Sequence, residues 1–182
     1  PRPVELKAFT RVHDYAYLMA VGDPKGLERI FGEEVRQLDH EKLIAGQRRM
    51  VAGTVLAARL AVKPWRKGEP VVNLGGGLHH AHPDRGGGFC LFNDVAIAIR
   101  QLREEGYTGR ILVVDLDLHQ GDGTRHIFAE DDTVWTLSIH GSDWDTDAAV
   151  ADINVELGAG IGDRAYLEAV DRYLPEAFEQ AQ

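Results

Sequence analysis

Between Asp39 and Val62 the apolar positions Leu43, Ile44, Val51, Val55, Leu56 and Leu60 recur at helical spacing. Lys63-Pro64 closes that helix. RVHDYAYLMA (11–20) reads as a short helix inside an otherwise mixed opening stretch that runs to about Gly32. PVVNL (70–74) has the β-branched content of a short buried strand and runs into the breaker GGG. Asn93 is a capping residue for a helix to about Glu105, with Val95, Ala98, Ile99 and Leu102 on one face and Gly106 as the stop. RILVVDLDLH (110–119) begins as a continuous apolar run, as buried parallel strands do.

A short helix around 123–129, a strand at 133–140 and a long loop follow. A last helix starts near Asp163 with Tyr166, Leu167, Val170 and Leu174 on one stripe, and Pro175 is expected to kink or divide it. Strand and helix alternate, so the expected class is α/β, a mainly parallel sheet with helices on both faces. Three or four strands are visible and the sequence stops on a helix, whereas such a sheet has about 5–6 strands. The expectation is one domain over 1–182 that is the N-terminal portion of a larger one, incomplete at its C-terminus.

Composition narrows the class of function. The 182 residues are 44% hydrophobic and 27% charged, which excludes a mostly disordered chain. A formal net charge of −9 gives no electrostatic footprint for a nucleic-acid backbone and suits a cationic ligand. One cysteine, Cys90, excludes an intramolecular disulfide framework and a Cys-rich zinc finger. No apolar run is long enough to span a membrane, and PRPVELKAFT lacks the apolar core of a signal peptide. A cytoplasmic protein is expected.

Histidine is the informative residue: His79, His80, His82, His119 and His126 fall in one stretch. If DLDLH continues as strand, Asp115, Asp117 and His119 project to one face and Leu116 and Leu118 to the other. Two carboxylates and an imidazole on one face call for a cation, and aspartate oxygen with imidazole nitrogen suits zinc. The competing reading is a hydrogen-bonded polar strand end. His79 and His80 follow three glycines, which let a backbone approach a ligand closely. As neutral imidazoles near a metal they would serve as general base and acid for an attacking water, with Asp115 and Asp122 as supporting carboxylates. Elsewhere in proteins such a pair is more often part of a surface or core. His82 is assigned to the loop, His126 to a helix surface, and Cys90 to a buried structural thiol. Phe89, on its glycine platform, offers a wall for an apolar substrate tunnel.

The ordered set GGGLHHA, DRGGGFCLFND, VVDLDLHQGDGT and LSIH strongly resembles the histone deacetylase superfamily, which includes acetoin-utilization proteins and acetylpolyamine amidohydrolases on an arginase-like α/β fold. The agreement covers roughly 71–140. The resemblance implies zinc-dependent hydrolysis of an acyl amide, such as acetyl-lysine in proteins or a related acylated amine. It makes Asp117 and His119 zinc ligands, iron being an alternative metal. His79 and His80 become the tandem histidines, with His80 the general base and acid. Asp115 would pair with His79 and Asp122 with His80. A structural potassium ion would sit among Asp115, Asp117 and the His119 backbone region together with Ser138 and Ile139. Phe89 matches a wall of the acyl-lysine tunnel, and Gly88 would lie against the substrate's aliphatic stem.

The family's second aspartate ligand and its transition-state tyrosine belong to a later part of the sequence. Asp152, Asp163 and Tyr166 come too early to replace them. SIHGSDWD lacks the paired aromatic wall of several classical members, which leans towards the branch similar to human class IV. Two other functions fit less well. A catalytically silent acyl-lysine-binding or scaffold domain would explain the missing groups. An arginase-like dimanganese ureohydrolase shares the fold but uses other aspartate-rich motifs. Natural substrate, acyl-chain length and oligomeric state are not legible at this level.

Overall fold

The computed structural model describes residues 3–66, 68–142 and 151–182, which group into two compact units, Pro1–Tyr107 and Thr108–Gln182. The first unit carries helices α1 (Leu6–Phe9), α2 (Tyr15–Ala20), α3 (Pro24–Phe31), α4 (His40–Ala61) and α5 (Asp94–Glu104). The predicted cap of α5 is in place, and α4 carries one of the same kind. Asp39 accepts a hydrogen bond from the Lys42 backbone N–H at 3.1 Å, and Asn93 accepts one from Ala96 at 2.9 Å. Gly106, at φ 89°, ends α5 in the left-handed conformation that glycine adopts without strain. α4 packs on α5, and the buried Val51, Ala52 and Val55 of the one belong to the same core as Ala96, Ile97, Ile99 and Leu102 of the other. Each large aliphatic side chain buried in this way contributes roughly 1.5–3 kcal/mol. Phe9 meets Phe92 edge to face at 4.9 Å.

Residues 70–74 are not a strand. No ladder partner for them exists among the described residues, and Leu74 is 97% exposed. Extended backbone becomes a strand only when a neighbour takes its N–H and C=O groups, and here a side chain does part of that work. The Asn73 amide donates to the Met50 carbonyl at 3.2 Å and to the Thr54 hydroxyl at 2.8 Å, tying the segment to α4.

The second unit is a three-stranded parallel sheet in the order β1 (Ile111–Asp115), β2 (Val134–His140), β3 (Ile153–Glu156), with helices α6 (Asp122–Phe128) and α7 (Asp163–Gln180). Asp115 lies in register with Ser138, and Ile139 with Val155. Leu137, Ile139, Ile153, Ala169 and Ala177 form the core, with Tyr166, Val170, Tyr173 and Leu174 of α7 packed against it.

Four expectations change in this unit. β3 occupies part of what reads as a long loop; the loop's remainder, 143–150, lies outside the described residues, as does most of the SDWD segment. β1 ends at Asp115 rather than at His119. Pro175 neither ends nor divides α7, which runs through it; the packed faces on either side hold the helix despite the missing N–H. Leu167, placed on the core stripe by spacing, is exposed.

Candidate catalytic and metal-binding segments

The tandem histidines of the first unit sit on a turn whose backbone is held at four points. Asp94, fully buried at the start of α5, accepts hydrogen bonds from the backbone N–H of Gly77 at 3.1 Å and of Leu78 at 2.7 Å, and from the Thr54 hydroxyl. Asn93 caps α5 with its oxygen while its amide nitrogen donates to the carbonyls of His79 and Ala81, at 3.4 and 3.2 Å. His79 and His80 are 8% and 4% exposed, and their ring centroids are 4.1 Å apart.

Glycines at this network leave no room for a side chain. A Cβ on Gly76 would stand 2.7 Å from the Asp94 carboxylate and 2.7 Å from the Thr54 hydroxyl, and one on Gly53 would stand 2.6 Å from the Asn73 amide oxygen. Gly77 adopts φ 93°. His13, buried in the α1–α2 connection, takes part as a neutral ring: one nitrogen accepts the Asn93 N–H at 3.0 Å and the other donates to the His82 carbonyl at 2.8 Å. Burial, outweighing its hydrogen bonds, lowers the His13 pKa to about 4. His82 is buried in the loop as expected.

Downstream, Gly87 and Cys90 exchange backbone hydrogen bonds at 3.1 and 2.7 Å, which makes 87–90 a tight two-residue hairpin. Its central residues have positive φ, Gly88 at 48° and Phe89 at 65°, as in type I′ turns. For Phe89 this left-handed setting costs roughly 1–2 kcal/mol. The Phe89 side chain is 64% exposed and touches Phe31, the ring centroids 6.2 Å apart. Cys90 is buried and its thiol donates to the Gly88 carbonyl at 3.2 Å, a structural role as expected.

In the second unit the chain leaves the ladder at Asp115, and the aspartates fold it locally. The Asp115 carboxylate accepts the Asp117 N–H at 3.1 Å, and the Asp117 carboxylate accepts the His119 N–H at 2.8 Å. These i to i+2 bonds build consecutive Asx turns, so strict alternation stops and Leu116 and Leu118 are both exposed. The loop is fastened further on: Gly141 donates to the Leu118 carbonyl at 2.8 Å, and His119 bridges to Ser142.

Asp117 Oδ1 stands 3.5 Å from His119 Nδ1. A carboxylate and an imidazole side by side, both partly open to solvent, suit zinc as two of its three protein donors; among the described residues no group of three or more such donors forms. Of the residues expected around potassium, Asp115 and Ser138 are in register, and the Ser138 hydroxyl is 2.9 Å from His140 Nδ1. Asp122 is buried as the first residue of α6, and His126 is exposed on that helix. The early stand-ins have other work: Asp152 accepts both the N–H and the hydroxyl of Thr136, and the Tyr166 hydroxyl donates to the Leu116 carbonyl.

His13, Gln47, Thr54, Asn73 and Asp94 are the supports that motif reading missed. Their supporting contacts join residues 16 to 80 positions apart in sequence, where local pattern carries no signal.

Comparison with known proteins identifies the family. The chain is 41% identical over 133 residues to an uncharacterized protein of Picosynechococcus sp. PCC 7002, covering 72% of this chain and 43% of that one. It is 53% identical over 68 residues to the acetoin utilization protein AcuC of Staphylococcus aureus, covering 37% and 17%. Histone deacetylase 2 of Arabidopsis thaliana is 33% identical over 150 residues, covering 80% and 38%. The chain thus spans less than half the length of these relatives. Among solved structures, a histone deacetylase homolog from Aquifex aeolicus superposes with a TM-score of 0.76 at 26% identity, over 100% of this chain and 53% of that one. A histone deacetylase homolog complexed with SAHA gives a TM-score of 0.77 at the same identity and coverage. The model of the histone deacetylase domain matches residues 1–182, and the chain belongs to the histone deacetylase family.

Proposed function

We propose that this chain forms part of a single catalytic domain that hydrolyses acyl amides, with acetyl-lysine or a related acylated amine as substrate. The observation that carries the proposal is the buried His79–His80 pair on a turn clamped by Asp94 and Asn93, which is how a proton-transferring pair is kept in one geometry. His80 takes the proton of the attacking water and returns it to the departing amine. Asp122 holds the other ring nitrogen of His80, and Asp115 does the same for His79; each carboxylate fixes a tautomer and raises the ring's basicity. Phe89 and Gly88 line the acyl-lysine channel.

Asp117 and His119 would hold zinc, or iron in its place, together with a third donor outside the described residues; the metal would supply Lewis acidity at the acyl carbonyl. Asp115, Asp117 and the His119 backbone region, together with Ser138 and Ile139, would hold a structural potassium ion. The acidic net charge favours a cationic substrate, and a cytoplasmic location fits the single cysteine. Among the described residues, no helix is long and apolar enough to cross a membrane.

The test is hydrolysis of an acetyl-lysine peptide by the natural full-length protein and by residues 1–182 alone, each with and without added zinc. Zinc-dependent turnover is expected in the full-length protein. If Asp117→Ala and His119→Ala there left both zinc binding and hydrolysis intact, the proposal would be wrong. Peptide binding without turnover would replace it with the binding-domain reading.

A further inference from the structure

One buried polar side chain lies outside the histidine platform and yet grips a residue of the proposed channel. Gln47, on the inner face of α4, is 6% exposed. Its amide nitrogen donates to the Phe89 carbonyl at 2.9 Å, and its amide oxygen accepts the Leu91 N–H at 3.2 Å. A primary amide used in this way imitates an adjoining strand, taking the outward C=O and N–H on either side of Cys90. Phe89 is held from a third direction by its own N–H, which donates to the Ile30 carbonyl at 3.1 Å.

Phe89 needs such a grip. Its φ of 65° is unfavourable for a bulky residue, and rotation about the N–Cα bond that defines φ would relieve the strain. With the Phe89 N–H held on Ile30, that rotation would swing the Phe89 carbonyl off Gln47 and leave a buried amide without its acceptor. The rest of the hairpin is already fixed: the Tyr17 hydroxyl donates to the Leu91 carbonyl at 2.8 Å, and Gly86 leaves no room for a Cβ beside Ile30 and Tyr17. The Phe89 linkage is the remaining freedom, and its ring is the part of the hairpin that projects outward.

We infer that Gln47 is a positioning residue for substrate selection: by locking the 89–91 backbone it aims the Phe89 ring at the acyl-lysine stem. This rests on the deacylase reading for what passes Phe89, while the lock itself is a property of the first unit. Gln47 touches no substrate and acts through Phe89 alone. Its loss therefore weakens substrate binding more than it slows the chemical step.

The experiment uses the natural full-length protein with Gln47→Met, which keeps the side chain's length and removes both hydrogen bonds. With an acetyl-lysine peptide, KM rises about tenfold while kcat changes less than about twofold. In the Phe89→Ala background the same substitution leaves KM unchanged, because there is no ring left to aim. Amide hydrogen exchange at Leu91 speeds up, while the amides of Val51 and Val55 on α4 stay protected and report an intact fold.

An equal rise in KM with and without Phe89 would overturn the inference and make Gln47 a structural residue only. Faster Leu91 exchange with unchanged KM would overturn it as well. Should the wild-type protein hydrolyse no acyl amide, the deacylase reading fails and the selection role falls with it; Leu91 exchange in Gln47→Met would then still report the lock independently of activity.

Discussion

The two segments richest in histidine and aspartate are held in opposite ways. The His79–His80 turn is buried and fastened by side chains far away in sequence, from Thr54 and Asp94 to Asn93 and His13. The Asp115–His119 loop is largely exposed and fastened by its own aspartates, each bonding the backbone two residues on. In the proposed mechanism, the first arrangement fixes groups that keep one geometry throughout a proton transfer. The second presents a carboxylate and an imidazole at the surface of their unit, open to the cation and further donors of the proposal. A substitution in the first should therefore cost stability, and one in the second should cost metal and activity.

The largest effect is expected from Asp94→Ala. It strips the acceptor from two backbone N–H groups and the Thr54 hydroxyl in a fully buried setting, and should destabilise the full-length protein by about 3–5 kcal/mol, read from the denaturant midpoint. A loss below 1 kcal/mol would erase the contrast between the two segments.

Acid should act on the same network next. The His13 pKa is lowered to about 4 when folded, against 6.5 unfolded, so between these values the unfolded chain binds the extra proton and stability falls as pH falls. The loss amounts to about 3 kcal/mol over that window, and His13→Gln should flatten this part of the stability–pH curve. An unchanged slope in the variant would place the acid sensitivity elsewhere.

The smallest change in stability belongs to the exposed loop. Asp117→Asn keeps an oxygen to accept the His119 N–H, so the midpoint should move by no more than about 0.5 kcal/mol. Zinc affinity and hydrolysis should nonetheless fall by about 100-fold or more. A large loss of stability with metal binding retained would invert the comparison.

Legibility in the sequence followed the range of the interactions. α4 and α5 were readable because their periodicity, and for α5 the cap at Asn93, are local. DLDLH keeps alternating as a string of letters after the backbone has left the sheet, since the same aspartates that suggest a ligand face also close Asx turns. PVVNL has strand composition, but composition says nothing about whether a neighbouring strand is there to pair with it. α7 runs through Pro175 because packing by Ala169, Tyr173 and Ala177 outweighs one lost hydrogen bond. The histidine pair was visible as a motif. Its foundations in Asp94, Asn73 and Thr54 were not, because these meet only once the chain has folded.

The close quarters around Gly53 and Gly76 bear on how this sequence can change over time. Both lack a Cβ where Asn73, Thr54 and Asp94 already fill the space, so none of the five has an independent history. Replacing either glycine displaces the polar cluster. Shortening Asn73 or Asp94 first would open the room that makes such a replacement tolerable. Drift here is expected to be correlated and ordered, with the glycines changing only after their neighbours have.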